Sequence, residues 1–171
     1  ASGIGRALAQ RLSARGCPVA MTDIDERGLK ETEAGLDGAS LTRVLDVRDA
    51  DAQRDFADVV RDWAPAPLGA VFNNAGVAIA SSVLESIPED DNWLWDINFH
   101  GVVNGTRAFL PILVEQDAGA IVNTSSVFGL GGVLLRGVRN CRTLLAVRHH
   151  SADGVRDDYW VGEAHWPPRS S

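Results

Sequence analysis

The strongest chemical signal lies at the start of the chain. Ser2-Gly3-Ile4-Gly5 runs straight into a helix-like stretch. Glycines at the mouth of a helix let the backbone approach a phosphate closely, and the free N–H groups and the helix dipole then hold the anion. A glycine pair before a helix is also the sequence of an ordinary tight turn. Asp23 adds a second signal. It ends the next strand-like run, 18 residues beyond Gly5. In a βαβ unit a carboxylate at that place accepts hydrogen bonds from the adenosine ribose hydroxyls. It would repel a 2′-phosphate, and Ser2 brings no positive charge to offset it, so the pattern favours NAD over NADP. Asp23 could instead cap the helix that begins near Asp25, although Asp25 can fill that role itself. No G-K-[ST] follows the glycines, which excludes a P-loop phosphotransferase.

Further polar residues fall at or just after strand ends, where the ligand crevice of a parallel sheet opens. These are Asp46, Asn74 and Ser126. Asn73-Asn74-Ala75-Gly76 joins side-chain amides to a small, permissive backbone, which suits a loop laid against a ribose. Both asparagines can equally satisfy loose backbone groups at a strand end.

The elements that would position these residues alternate in type. Helical spacing covers Ile4 to Ala14, with Ile4, Leu8 and Leu12 on one face, and Glu26 to Leu36. It recurs over Asp49 to Trp63, with Phe56, Val59, Val60 and Trp63 on one face. Asn92 to Glu115 is mostly helical, with Pro111 expected to kink or divide it. Trp93 and Trp95 near its start read as packing residues. Short apolar runs over Pro18 to Thr22, Leu41 to Leu45, Leu68 to Phe72 and Ala120 to Val122 read as buried strands. Strands alternating with helices predict a parallel sheet covered on both faces.

The chain has 171 residues, 45% of them apolar, enough for one packed domain. A net charge of −7 argues against a polybasic nucleic-acid binder. No apolar run is long enough to span a bilayer, and no leader pattern opens the chain, so no membrane partner is expected. Cys17 and Cys141 lie far apart and form no C-x-x-C, which points to a reducing cytoplasm, with neither a disulfide scaffold nor a metal site. Ala1 enters the glycine motif with no lead-in strand, so the start looks clipped. Residues 127–171 carry six arginines and no lysine, and from His149 onward no periodicity is visible. That stretch reads as a disordered or poorly packed tail.

Taken in order, the motifs resemble the classical short-chain dehydrogenases/reductases. Ser2-Gly3-Ile4-Gly5 is similar to the second half of the family's T-G-x-x-x-G-x-G. Asp46-Val47 resembles its adenine-contacting Asp-Val, and Asn73-Asn74-Ala75-Gly76 is its N-N-A-G. Asn98 stands at its N-x-x-G asparagine, and Ile121 to Ser126 (IVNTSS) resembles the strand that carries the catalytic serine. The resemblance covers residues 1–132. It implies an α/β fold, a truncated Rossmann-like parallel sheet with helices on both faces, incomplete over 1–132, with residues 133–171 as an aberrant or disordered tail. It implies NAD(P)-dependent hydride transfer between nicotinamide and a small-molecule alcohol or carbonyl, NAD being favoured. The implied cofactor residues are Ser2, Gly3, Ile4, Gly5, Asp23, Asp46, Val47, Asn74, Ala75, Gly76 and Thr124. Ser126 would orient the substrate and Asn98 would serve a proton relay. Family members are homo-oligomers, with the helix around Phe99 to Leu113 at the subunit contact.

The match then breaks. The family's mechanism uses Tyr-x-x-x-Lys, in which the lysine lowers the tyrosine pKa and the tyrosine exchanges a proton with the substrate oxygen. This chain has one tyrosine, Tyr159, followed four residues later by Glu163, and one lysine, Lys30. The family's tyrosine would fall near Arg139. Arginine-rich, lysine-free, aperiodic sequence is what an out-of-frame reading of GC-rich DNA produces. Moved by one nucleotide, codons for Arg136 to Arg139 can encode Ala-Ala-Tyr, whereas Arg142 and Thr143 cannot yield the lysine. The alternative to an oxidoreductase is therefore a catalytically inactive nucleotide-binding remnant or a frameshifted gene product.

Overall fold

The computed structural model describes residues 1–79 and 86–125, and the backbone of residues 150–151 and 154–155. Helix α1 (Gly3–Ser13) leads to strand β1 (Val19–Asp23), helix α2 (Glu26–Glu33) and strand β2 (Ser40–Val44). Helix α3 (Ala50–Trp63) and strand β3 (Ala70–Asn73) follow. Helix α4 (Pro88–Trp95) passes through a π-helical stretch, Asp96–His100, into helix α5 (Gly101–Glu115) and strand β4 (Ala120–Asn123). A two-residue antiparallel pair, β5 (His150–Ser151) with β6 (Gly154–Val155), lies within the stretch read as a structureless tail.

The first four strands are parallel, as the alternation of strands and helices requires. They form two pairs. β1 lies on β2, with Val19 opposite Ser40, and β3 lies on β4, with Ala70 opposite Ala120. Among the described residues no ladder joins β1 to β3. In a doubly wound sheet of order 3-2-1-4-5, these pairs correspond to 3-2 and 4-5, with the place of strand 1 between them. The expected full burial of the strands is therefore corrected. In β3 only Val71 and Asn73 are half-buried, while Ala70 and Phe72 are exposed. Among the described residues the ladder of β3 runs along one edge, to β4.

Helix ends follow local chemistry. The Asp49 carboxylate accepts from the backbone N–H of Asp51 at 3.0 Å and of Ala52 at 2.9 Å, capping α3. Pro88 opens α4 with its fixed φ, and Glu89, Asp90 and Asp91 sit in the first turn, where the dipole favours them. Gly16, at φ 79°, ends the α1 turn in the left-handed region.

α1 and α2 pack on β1, and α3 and α5 pack on each other. The core joins Leu45 to Phe56, Ala57 and Val60 of α3 and to Ala108 and Phe109 of α5. The Phe56 and Phe109 rings meet edge to face at 6.4 Å. Gln53, Phe56, Ala57 and Val60 form the buried stripe of α3, and Val59, expected on it, is 38% exposed. On α1 the buried positions are Ala9 and Ser13, whereas Ile4 is 68% exposed. Pro111 does not divide α5, which runs through it. The interruption comes earlier, at Asp96–His100, and the exposed Pro111 ring points away from the core. Trp93 and Trp95 are partly exposed rather than packed inside, and Trp95 stacks on Phe99 at 4.8 Å.

Candidate functional site

The glycine opening lies beside the loop that follows β3. Gly3 has φ 51°, and a side chain added there would meet nothing within 4 Å. The backbone is thus left-handed and open on the side a ligand would approach. The Ser2 side chain makes no capping bond, and the first turn of α1 carries no acid. Ser2 and Ile4 are exposed. A Cβ at Gly5 would fall 3.0 Å from Asn74 Nδ2, so glycine there lets the Asn74 amide lie against α1. Asn74 Oδ1 accepts from Thr124 Oγ1 at 3.0 Å, just beyond β4. Gly5, Asn74 and Thr124 therefore meet at the carboxyl end of β3 and β4.

Arg6 braces this opening from behind. Its Nε donates to the Ala1 carbonyl at 3.1 Å and to Thr32 Oγ1 at 3.0 Å. Thr32, fully buried on α2, donates in turn to the Gly28 carbonyl at 2.8 Å.

Asp23 ends β1, as the sequence predicts. Its Oδ1 accepts from the Asp25 N–H at 3.0 Å, and its Oδ2 lies against the Ala1 nitrogen. Neither Asp23 nor Asp25 caps α2 through its side chain: Asp23 Oδ1 closes a turn onto the Asp25 N–H, and Asp25 makes no capping bond. Asp46 is clasped by Arg48. Nη2 donates at 2.6 Å and Nε at 2.9 Å to Oδ2, and the Arg48 N–H donates at 3.0 Å to Oδ1. The Arg48 hydrogen bond holds the Asp46 carboxyl below the usual carboxylate range. Val47 turns inward: its Cγ2 lies 2.7 Å from where a Cβ would stand on Gly101. Asn104 Nδ2 donates to the Val47 and Arg48 carbonyls, each at 3.2 Å.

Asn98 lies within the π-helical stretch, a feature frequent at functional sites. Its Nδ2 donates to the Val77 carbonyl and its Oδ1 accepts from the Val77 N–H, both at 2.9 Å. Gly76 lies against the same amide, with room for a Cβ only 3.3 Å from Asn98 Oδ1. Asn98 thus holds the loop carrying the exposed Ala75 and Gly76. Ser126 lies outside the described residues, as do Arg139 and Tyr159.

The structure adds contacts of Asn73 that its motif does not show, and one residue, Gln53, that no motif includes. Asn73 Nδ2 donates to Asn123 Oδ1 at 2.8 Å and to Thr106 Oγ1 at 3.2 Å, tying β3, β4 and α5 together. Gln53, 7% exposed, donates to the Val47 carbonyl at 2.7 Å and to the Gly101 carbonyl at 3.2 Å. The available signal was an amide at i on the stripe that continues through Phe56, Ala57 and Val60.

Residues 1–138 match the short chain dehydrogenase family. SadH of Mycobacterium tuberculosis is 42% identical over 135 residues, covering 75% of this chain and 48% of that protein. A solved levodione reductase superposes with a TM-score of 0.75 at 30% identity, over 80% of this chain and 55% of that one. A solved short chain dehydrogenase/reductase of Burkholderia phymatum in complex with NAD has a TM-score of 0.71 at 33% identity, over 81% of this chain and 50% of that one. The chain spans about half the length of the curated relatives it matches. By the motif order, the sheet halves and these matches, the chain belongs to the short-chain dehydrogenase/reductase family, whose members are oxidoreductases.

Proposed function

We propose that this chain carries the cofactor half of an NAD-dependent oxidoreductase acting on a small-molecule alcohol or carbonyl. The observation that carries the reading is the meeting of Gly5, Asn74 and Thr124 beside the open, left-handed Gly3. These residues fit a dinucleotide. Gly3 to Gly5 leave backbone accessible to a pyrophosphate, and the dipole of α1 favours its charge. Asp23 would accept from the ribose hydroxyls and disfavour a 2′-phosphate, so NAD is proposed over NADP. Asp46 and Val47 would border the adenine, and Asn74, Ala75 and Gly76 the second ribose and nicotinamide side. Thr124 fixes the Asn74 amide through its hydroxyl.

When bound, the nicotinamide supplies the hydride-carrying carbon. Ser126 would orient the substrate oxygen, and Asn98 would hold the loop beside the relay. No Tyr-x-x-x-Lys occurs in these 171 residues. The proton-transfer contribution that such a pair makes, about 10²–10⁴-fold, is therefore not supplied by the sequence in hand. A cytoplasmic setting is proposed from the separated cysteines. Family members are homo-oligomers through the helix around Phe99 to Leu113, and a homo-oligomer is not proposed for this chain.

Calorimetry of NAD(H) and NADP(H) with the 171-residue chain tests the reading. Saturable binding with a preference for NAD is expected, and Asp23→Ser should narrow that preference. A chain that is folded by circular dichroism and takes up neither dinucleotide would overturn it.

A further inference from the structure

Gln53 is the one buried amide on the α3 stripe, and the family motifs assign it nothing. Its Nε2 reaches two carbonyls that belong to different parts of the candidate site. One is Val47, in the Asp46–Arg48 loop, at 2.7 Å. The other is Gly101, in the helical turn that follows Asn98, at 3.2 Å. Val47 and Gly101 also touch directly, since Gly101 has no room for a Cβ beside Val47 Cγ2. From Gly101 the connection continues. Asn98, three residues earlier, holds both backbone polar groups of Val77. A buried amide whose Nε2 serves two separate backbone segments ties the distance between them, because its loss removes both cross-segment bonds at once.

We infer that Gln53 is a positioning residue that locks the Asp46–Arg48 loop to the Asn98 helix, so that ordering one orders the other. The inference rests on the cofactor reading for what the two segments do, but not for the clasp itself. Binding of an adenine nucleotide against the loop would tighten the Val77 contact at the opposite end through Gln53. Asn104, which bonds only to Val47 and Arg48 carbonyls from α5, steadies the loop without reaching Gly101.

Amide hydrogen exchange of the full chain tests this. The variants are Gln53→Leu, which keeps the volume and loses the donors, and Val60→Ala, a buried α3 position near the other end of the helix. In Gln53→Leu, exchange at Arg48, Asp49, Val77 and residues 101–105 should rise about tenfold over Val60→Ala, the loss of two modest hydrogen bonds. The β1–β2 amides should not differ between the two variants. Adding 5′-AMP to the wild type should slow exchange at residues 46–49 and also at Val77. In Gln53→Leu it should slow only the first. Equal exchange at Val77 and 101–105 in the two variants refutes the clasp. So does an AMP effect that still reaches Val77 without Gln53. If AMP protects nothing in the wild type, the cofactor reading fails, and the ligand-free comparison alone decides the clasp. If Gln53→Leu does not fold, nuclear magnetic resonance of the wild type decides it. The Gln53 side-chain NH2 should exchange slowly and show contacts to both Val47 and Gly101, and a fast-exchanging NH2 refutes the proposal.

Discussion

Substituting Gly105 by alanine pits helix propensity against packing, and the structure says which wins. Gly105 is buried in the middle of α5. Propensity alone would make alanine better by about 1 kcal/mol. A Cβ there would stand 2.2 Å from Asn73 Oδ1 and 3.0 Å from Gln53 Oε1. Asn73 cannot simply swing aside. Its Nδ2 is held by Asn123 and Thr106, and Asn123 is itself buried. Overpacking of this kind costs about 1–3 kcal/mol. Displacing Asn73 leaves a buried acceptor unpaired at about 1–3 kcal/mol more. The net expectation is a loss of about 1–5 kcal/mol, opposite in sign to propensity. Urea denaturation followed by circular dichroism measures it. Gly35→Ala is the control: its Cβ would meet Gln10 Nε2 at an ordinary 3.5 Å, and it should be neutral or slightly stabilising. The double variant Asn73→Ala with Gly105→Ala should cost less than the sum of the singles, because the clash partner is gone. A Gly105→Ala chain as stable as wild type, or additive singles, would refute the argument.

Other outcomes follow from the same contacts. Asn98→Ala should lose protection of the Val77 amide, whereas Asn98→Asp, which keeps the acceptor, should retain it while both lose about 1–3 kcal/mol; native-state exchange separates them. Leu29→Ala removes a side chain only 2% exposed and should cost about 2–5 kcal/mol in urea, while Val114→Ala, at 50% exposure, should stay within about 0.5 kcal/mol. Asp46 titrates below its ordinary range because Arg48 bonds to it, so the pair stabilises the fold above about pH 4 and the contribution fades as pH falls through the lowered value. The stability gap between wild type and Arg48→Gln should therefore be small at neutral pH, both partners being well exposed, and should close in acid. A gap that does not change with pH would rule out the ion pair as its source.

Much of the site was legible because its motifs are local. Gly3 takes a left-handed backbone that favours glycine, Gly5 stands in the local motif beside it, and Asn74 and Asp46 follow strands whose apolar runs are plain. Element types followed from period alone over α1, α3 and β2. What escaped depends on tertiary contact. Nothing local shows that Asn98 serves Val77, 21 residues away, or that Asn73 reaches Asn123, since those bonds exist only once β3, β4 and α5 are assembled. Pro111 misled because its cost depends on which side of the helix it occupies. Trp95 packs on Phe99, as a packing residue should, but hydrophobicity alone does not say that it stays partly exposed.

The pairing of strands in two separate ladders has a consequence for how the chain reaches its fold. Val19 finds Ser40 across a short connection, whereas Ala70 must find Ala120 across a longer one. Closing the longer loop costs about 0.8 kcal/mol more in chain entropy. The two ladders also draw on different helices, β1 and β2 on α2 and β3 and β4 on α5. The β1–α2–β2 unit can close early on local contacts, while the β3–β4 unit waits for α5 to dock on α3. During that interval the apolar faces of α3 and α5 that build the core stay open to solvent, so yield on refolding should fall as protein concentration rises.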